Sequence, residues 1–165
     1  MCVRKLIVVG LLGIAGIVLL AYVLSPPRAP LPSIGGSNPP VTGAITAPPN
    51  VEAVLRRSCY DCHSNETRWP WYSRVVPVAG LLAREVELGR KEVNFSEWTS
   101  YMPATRKRKL QWMERSLHER AMPPWTYRLL HPDAQLTDKD LTMLTQWIQS
   151  QLAALQQPPQ TQVSQ

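Results

Sequence analysis

The amino-acid sequence predicts an all-α fold. Apolar residues recur at three- and four-residue spacing in several segments, whereas no stretch alternates apolar and polar residues over the length of a strand. The chain has 165 residues, one apolar N-terminal run and one Pro-rich stretch, which leaves room for a single modest domain. We therefore expect four or five short helices that share one hydrophobic core.

The apolar run covers residues 6–24, which are uncharged and almost wholly apolar. At about 1.5 Å per helical residue, such a run nearly spans a bilayer core of about 30 Å. Arg4 and Lys5 precede it, and the positive-inside tendency would keep that end in the cytoplasm. Residues 1–24 are thus predicted to form a single transmembrane helix that anchors the rest of the chain outside the cytoplasm. A cleaved signal peptide is the alternative.

The next segment, residues 25–50, is interpreted as a linker. It contains eight prolines, three glycines and one charged residue, so it favours a semi-extended tether over a regular helix. Residues 51–156 are then the folded domain. The polar residues 157–165 are predicted to be a disordered tail.

Four helices are predicted within the domain. Asn50 is a candidate N-cap for a helix over 51–60, and a second helix over 77–88 would end at Gly89. A third helix would run from a cap at Thr105 to about residue 120. The last helix has the clearest signal, because a capping box at 137–140 precedes an apolar face made of Leu141, Leu144, Ile148, Leu152 and Leu155.

The charge of the domain argues against a nucleic-acid partner. The net charge is +6, but all 12 acidic residues and 15 of the 18 basic ones follow position 50, which leaves the domain at about +3. Phosphate binding requires a more sustained basic surface. Residues 106–109 form a basic run at a helix start, interpreted as a solvated face, with protein docking or contact with an anion as the alternatives. Docking to an acidic protein stays open.

The segment Cys59-Tyr60-Asp61-Cys62-His63 has the C-x-x-C-H pattern of covalent haem attachment. Two thiols three positions apart lie on one helical turn, where each can form a thioether with a porphyrin vinyl group. The adjacent His63 then ligates the iron on one side. The sequence therefore predicts one haem c, covalently bound at Cys59 and Cys62, in a domain whose small core needs that link.

Two other uses of a C-x-x-C pair fit the sequence less well. A structural zinc site needs four ligands, and the sequence contains no second C-x-x-C and no closely spaced histidine pair. A thioredoxin-like thiol site belongs to an alternating strand and helix pattern, which is missing. Export supports the haem interpretation, because haem c is attached outside the cytoplasm.

Met122 is the candidate for the second axial ligand. It precedes Pro123-Pro124, and a residue before proline is pushed toward extended geometry, so Met122 is expected in a loop that can turn a thioether inward. The chain between His63 and Met122 is long enough to reach the far face of a haem. The alternatives are a methionine in the core, an open position on the iron, or ligation by Met102, His118 or His131.

Tryptophan side chains most simply pack in the hydrophobic core, and they are also candidates for the wall of a haem pocket, because large rings can shield a flat apolar cofactor from water. All six lie in the domain. Trp69, Trp71 and Trp125, nearest in sequence to His63 and Met122, are the preferred candidates.

Four stretches together resemble the small bacterial haem-binding domain proteins, which are related in pattern to the monohaem cytochromes c. They are residues 59–78, 89–98, Met122-Pro123-Pro124 and 131–140, with Trp147 beyond, and they cover most of positions 51–150. The resemblance implies a cytochrome c-like domain around one haem. By the same resemblance, Cys59, Cys62, His63 and Met122 hold the cofactor. A glycine often precedes the methionine segment in such proteins, whereas Arg120-Ala121 stand here.

The function expected from these features is one-electron transfer on the periplasmic side of a bacterial inner membrane, with redox proteins as partners. Methionine opposite histidine favours ferrous iron and raises the potential. Six-coordinate iron leaves no position for a substrate, so an enzyme is not expected. The alternatives are a haem-based sensor or peroxidase-like protein with an exchangeable distal ligand, and an accessory haem subunit of a membrane complex.

Overall fold

The computed structural model describes residues 9–17, 20 and 38–156. The chain divides into two compact units, Met1–Leu31 and Pro32–Gln165. In the first unit, residues 9–17 are helical. The tail residues 157–165 and most of the predicted linker, residues 25–37, lie outside the described residues.

The predicted transmembrane helix is wrong for the structure as described. Across residues 9–17, 20 and 38–156, no helix has both the length and the apolar character needed to cross a bilayer. Apart from residues 9–17 and Leu20, the apolar run lies outside the described residues.

The second unit is helical, as predicted. Among its described residues, extended pairing is limited to an isolated parallel bridge between Gly43 and Glu97. Three single 3₁₀ turns connect the helices at Trp71–Arg74, Trp98–Ser100 and Pro132–Ala134. The α-helices are α1 (Pro49–Ser58), α2 (Tyr60–His63), α3 (Val78–Glu92), α4 (Pro103–His118), α5 (Trp125–Leu130) and α6 (Asp138–Ala154).

Two of the helices begin at a proline and not at the cap residues that the sequence predicts. Helix α1 begins at Pro49 and α4 at Pro103, because proline at the first helical position has a suitable φ and loses no hydrogen bond there. The capping box of α6 is confirmed, since Thr137 Oγ1 accepts from the Asp140 amide and the Asp140 carboxylate accepts from the Thr137 amide. Gly89 does not end α3, which continues to Glu92.

The core lies where α4 and α1 pack against α6. Its apolar side chains come from the faces that the three- and four-residue spacing marks in each helix. The largest side chains that are fully buried are Leu55, Leu110, Leu144, Ile148 and Val93.

Residues 38–47 of the predicted linker lie along the domain. The amides of Thr42 and Gly43 donate to the Ser96 carbonyl at 3.1 and 2.9 Å, and the Ile45 amide donates to the Phe95 carbonyl at 2.8 Å. The Ile45 side chain is buried in the core. This segment, called the strap below, therefore folds as part of the domain.

Candidate functional site

The C-x-x-C-H segment forms a single tight turn between two helices. Cys59 ends α1 and caps α2, and its carbonyl accepts hydrogen bonds from the amides of Cys62 at 3.2 Å and His63 at 2.9 Å. Both cysteines are free thiols. The turn thus brings the three predicted attachment residues together, as the sequence spacing predicts.

Both thiols are protonated near neutral pH. Burial raises the pKa of Cys59 to about 12 and that of Cys62 to about 11. Thiol redox chemistry requires a thiolate and an environment that lowers the pKa of the thiol. The environment of these two thiols acts in the opposite direction, which disfavours the thiol redox alternative.

The imidazole of His63 is buried and fixed in one tautomer. Its Nδ1 lies 2.8 Å from the Gly89 carbonyl oxygen and 3.1 Å from that of Val93, so Nδ1 carries the proton and donates. Burial lowers the pKa of His63, which keeps the ring neutral. Its Nε2 therefore presents a lone pair, the state that a metal ligand requires.

Gly89 makes this arrangement sterically possible. A Cβ at position 89 would lie 2.5 Å from the Cys62 carbonyl oxygen and 3.1 Å from the Cys62 Cβ. Helix α3 can therefore reach the C-x-x-C-H turn only because position 89 has no side chain. Gly89 therefore allows two backbones to approach closely. The sequence had predicted a different role for it, the end of the helix.

A buried polar network lies behind His63 and joins two segments whose role the sequence did not reveal. The His63 carbonyl accepts from the Phe95 amide at 2.7 Å, and the Asn65 amide donates to Ser96 Oγ at 2.9 Å. The Asn94 side-chain amide donates to Asn65 Oδ1 at 2.9 Å. Residues 89–98 therefore hold the loop after His63. In the sequence, the available signal was the pairing of Asn with Ser in both segments.

Asp61, inside the motif, anchors a second cluster. Arg68 contacts its two carboxylate oxygens through Nε and Nη2, both at 3.1 Å, and the Tyr127 hydroxyl donates to Oδ2 at 2.8 Å. The Tyr127 ring stacks on His131 with centroids 4.3 Å apart, and the Tyr72 hydroxyl lies 2.7 Å from His131 Nε2. This cluster, called the Asp61 cluster below, ties helix α5 to the attachment turn.

The candidates for a distal ligand differ in their surroundings. Met122 is half-buried in the turn between α4 and α5. Met102 is 74 % exposed at the start of α4, and His118 is exposed at the end of that helix. His131 is already paired with Tyr72. Met122 therefore has the most suitable surroundings of these four, and its role as a ligand stays a prediction.

The turn before Met122 takes the conformation that a glycine would favour. Arg120 has φ of 53°, in the left-handed region. Its amide donates to the Leu117 carbonyl and the Ala121 amide donates to the Ser116 carbonyl, which is the Schellman pattern at a helix C-terminus. A non-glycine residue thus occupies the left-handed position of this turn.

Trp112 is the tryptophan in ring contact with His63. Their ring centroids are 5.8 Å apart, and the ring centroid of Phe95 lies 6.1 Å from that of His63. The preferred candidates Trp71 and Trp125 are 79 % and 69 % exposed. Trp112 contacts His63 because α4 packs against the site. Distance along the sequence, on which the prediction was based, does not show such packing.

The donor set fits a covalently held haem. It offers two neutral thiols on one turn and a neutral imidazole whose free nitrogen is Nε2. A zinc site finds no support, since in residues 9–17, 20 and 38–156 no three His, Cys, Asp or Glu side chains cluster as metal ligands.

Comparison with known proteins adds one match. A family model described as a haem-binding domain matches residues 17–150. No curated protein and no solved structure shows significant similarity to the chain.

Proposed function

Because the chain belongs to the haem-binding domain family, we propose that it is a monohaem c-type cytochrome that transfers single electrons outside the cytoplasm. The observation that carries this proposal is the state of His63. A buried neutral imidazole with Nδ1 held by two backbone carbonyls, one residue after a pair of free thiols, is what an axial histidine of a covalent haem needs.

In this proposal Cys59 and Cys62 form the thioethers. Their raised pKa values keep both sulfurs as thiols, and the short turn holds them at neighbouring positions. The covalent links would retain the cofactor in a domain with one small core. One haem is proposed, because the chain contains a single C-x-x-C-H segment.

His63 and Met122 are proposed as the two axial ligands. When bound, the haem supplies one-electron chemistry by cycling between ferrous and ferric iron. Gly89 and Val93 fix the plane of the His63 ring, and the Asp61 cluster fixes the start of the segment after Met122. With both axial positions filled by the chain, electron transfer is proposed rather than catalysis.

The decisive experiment measures attachment directly. The chain is expressed with a haem-attachment system, unfolded in acid and extracted with organic solvent. We expect the colour to stay with the polypeptide, the mass to exceed that of the chain by one haem, and a pyridine haemochrome spectrum typical of two thioethers. Loss of all colour on extraction would contradict the proposal, and C59A/C62A is the matched control that should lose it.

Ligation by Met122 has a separate test. The oxidised haem-loaded protein should show the long-wavelength absorption band of sulfur on ferric iron. M122A should lose this band and should retain covalent haem, whereas M102A should keep both. Persistence of the band in M122A would assign the distal position to another residue.

A further inference from the structure

A concave site lies close to the attachment turn, on the far side of Trp112 from His63. It is an open cleft of about 400 Å³ between the C-terminal end of α3 and the outer face of α4. Its charged lining consists of Arg108, Lys109 and Arg115 from α4 and Glu92 from α3. The haem-attachment residues are not part of its lining, so the cleft needs a separate explanation.

The cleft is basic, and its cations lack carboxylate partners. In the part of the chain that the structure describes, Arg108, Lys109 and Arg115 form no ion pair within 4 Å. Arg108 bonds weakly to Thr105 Oγ1 at 3.4 Å, and Lys109 donates to the carbonyls of Lys91 and Glu92. Arg106 and Lys107 add charge nearby.

One lining residue of this cleft contacts His63. Trp112 lines the cleft, and its ring centroid is 5.8 Å from that of His63. A single aromatic ring thus lies between the basic cleft and the proposed axial ligand. Charged groups beside such a route affect how fast a charged partner reaches it.

We propose that this cleft is the docking site for an acidic redox protein, which exchanges one electron with the haem through Trp112 and His63. The proposal rests on the proposed function, because it needs a haem at His63. Carboxylates of the partner would pair with Arg108 and Arg115. These two cations have no carboxylate partner within the described part of the chain. One electron passes from the reduced protein to the oxidised one, and no bond forms or breaks.

The test compares two oxidants of opposite charge on the full, haem-loaded chain. The ferrous protein is mixed with anionic ferricyanide or with cationic tris(phenanthroline)cobalt(III), and oxidation is followed by absorbance. In R108Q/R115Q the rate with ferricyanide should fall by about tenfold at low ionic strength and approach the wild-type rate at high salt. The rate with the cationic oxidant should not fall.

The matched control is R84Q/K139Q, which removes the same charge from exposed positions on α3 and α6 that do not line the cleft. Its rates should stay near wild type. Poly-L-glutamate, a stand-in for an acidic protein face, should inhibit oxidation by ferricyanide in wild type and should not inhibit it in R108Q/R115Q. W112L should slow both oxidants.

Three results would overturn the inference. Equal slowing of R108Q/R115Q and R84Q/K139Q would reduce the effect to net charge. A shifted haem absorption spectrum in R108Q/R115Q would mean that these arginines hold the haem propionates. Unchanged rates in both variants would exclude docking here. If the proposed function is wrong, the wild-type chain will carry no covalent haem. That result is seen before any rate is measured, so it is distinct from failure of the docking proposal.

Discussion

At the scale of single residues, Gly89 is the position on which the geometry of His63 depends most directly. Its missing side chain lets the α3 backbone meet the Cys62 backbone, and its carbonyl accepts from His63 Nδ1 at 2.8 Å. A residue usually regarded as unfavourable in a helix is here required by contact.

Substitution of Gly89 by alanine should therefore reverse the usual helix effect. In an exposed helix the change would stabilise by about 1 kcal/mol, whereas here the added Cβ meets backbone and should cost about 1–3 kcal/mol. Urea unfolding of the haem-free chain measures the loss, and haemochrome yield should fall in parallel. L88A, on the exposed side of the same helix, is the control. A more stable G89A would refute the close approach.

At Arg120 we expect a substitution to increase the free energy of unfolding, whereas the substitution of Gly89 decreases it. A non-glycine residue at φ of 53° is strained, so R120G should raise the free energy of unfolding by about 1 kcal/mol. The substitution also removes the exposed ion pair with Asp138, which contributes at most about 1 kcal/mol. R120A separates the two effects, because it removes the ion pair and keeps the strain. Thermal or urea denaturation of the three proteins should rank R120G above wild type and R120A at or below it.

At the scale of elements, the Asp61 cluster couples helix α5 to the attachment turn. Tyr127 donates to a carboxylate that Arg68 also contacts, and burial together with that hydrogen bond raises the pKa of Tyr127, which keeps its hydroxyl protonated. Helix α5 itself buries no residue. This polar contact is therefore a main tie between the segment that follows Met122 and the site.

Loss of the Tyr127 hydroxyl should loosen that segment before the domain unfolds. A hydrogen bond to a charged group contributes about 1.5–3 kcal/mol, so Y127F should release the distal ligand at a lower urea concentration than wild type. The long-wavelength band of the ferric haem reports ligation, and far-ultraviolet circular dichroism reports the helices. T126A, an exposed neighbour on α5, should show coincident transitions as wild type does. Coincident transitions in Y127F would rule out the tie.

The sequence predicts helices correctly where the signal lies in neighbouring residues. It fails where contacts between distant parts of the chain determine the structure. The capping box of α6 and the face containing Leu144 and Ile148 can be read directly from residue spacing. The role of Gly89 within α3 could not, because it depends on contact with the backbone of Cys62, 27 residues away (89 minus 62). The placement of Trp112 beside His63 likewise depends on how α4 packs, and the sequence does not encode it locally.

At the scale of the whole molecule, burial of His63 makes the haem-free fold sensitive to acid. The pKa of His63 in the folded chain is lowered from its ordinary 6.5, so below that value the unfolded chain binds a proton that the folded chain does not. The contribution of neutral His63 to the free energy of unfolding is therefore fully present above pH 6.5. It decreases as the pH falls below that value, by up to about 1.4 kcal/mol per pH unit.

The measurement is urea unfolding of the haem-free chain between pH 7.5 and 5. Wild type should lose stability over this window, and H63F should lose much less. H118Q replaces an exposed histidine and should behave like wild type. If H63F retains the full pH dependence, another group is responsible for it.

The fold class of the domain and the attachment turn could be predicted from the sequence, because periodicity and motif spacing are local properties. The predicted spanning helix was wrong, since among residues 9–17, 20 and 38–156 no helix is long and apolar enough to cross a bilayer. The strap was not foreseen either. Its prolines suggest a free tether, whereas its backbone amides pair with the carbonyls of Phe95 and Ser96.

The two carbonyls that hold His63 come from the last residues of α3 and from its C-cap, where the partial negative charge of a helix accumulates. An imidazole that donates to this end becomes a stronger electron donor through its opposite nitrogen. A stronger donor stabilises the more oxidised form of a metal bound there, whereas a thioether on the other side stabilises the reduced form. The redox midpoint of the site would then be set by opposition between helix α3 and one sulfur atom, and small shifts of that helix would retune it.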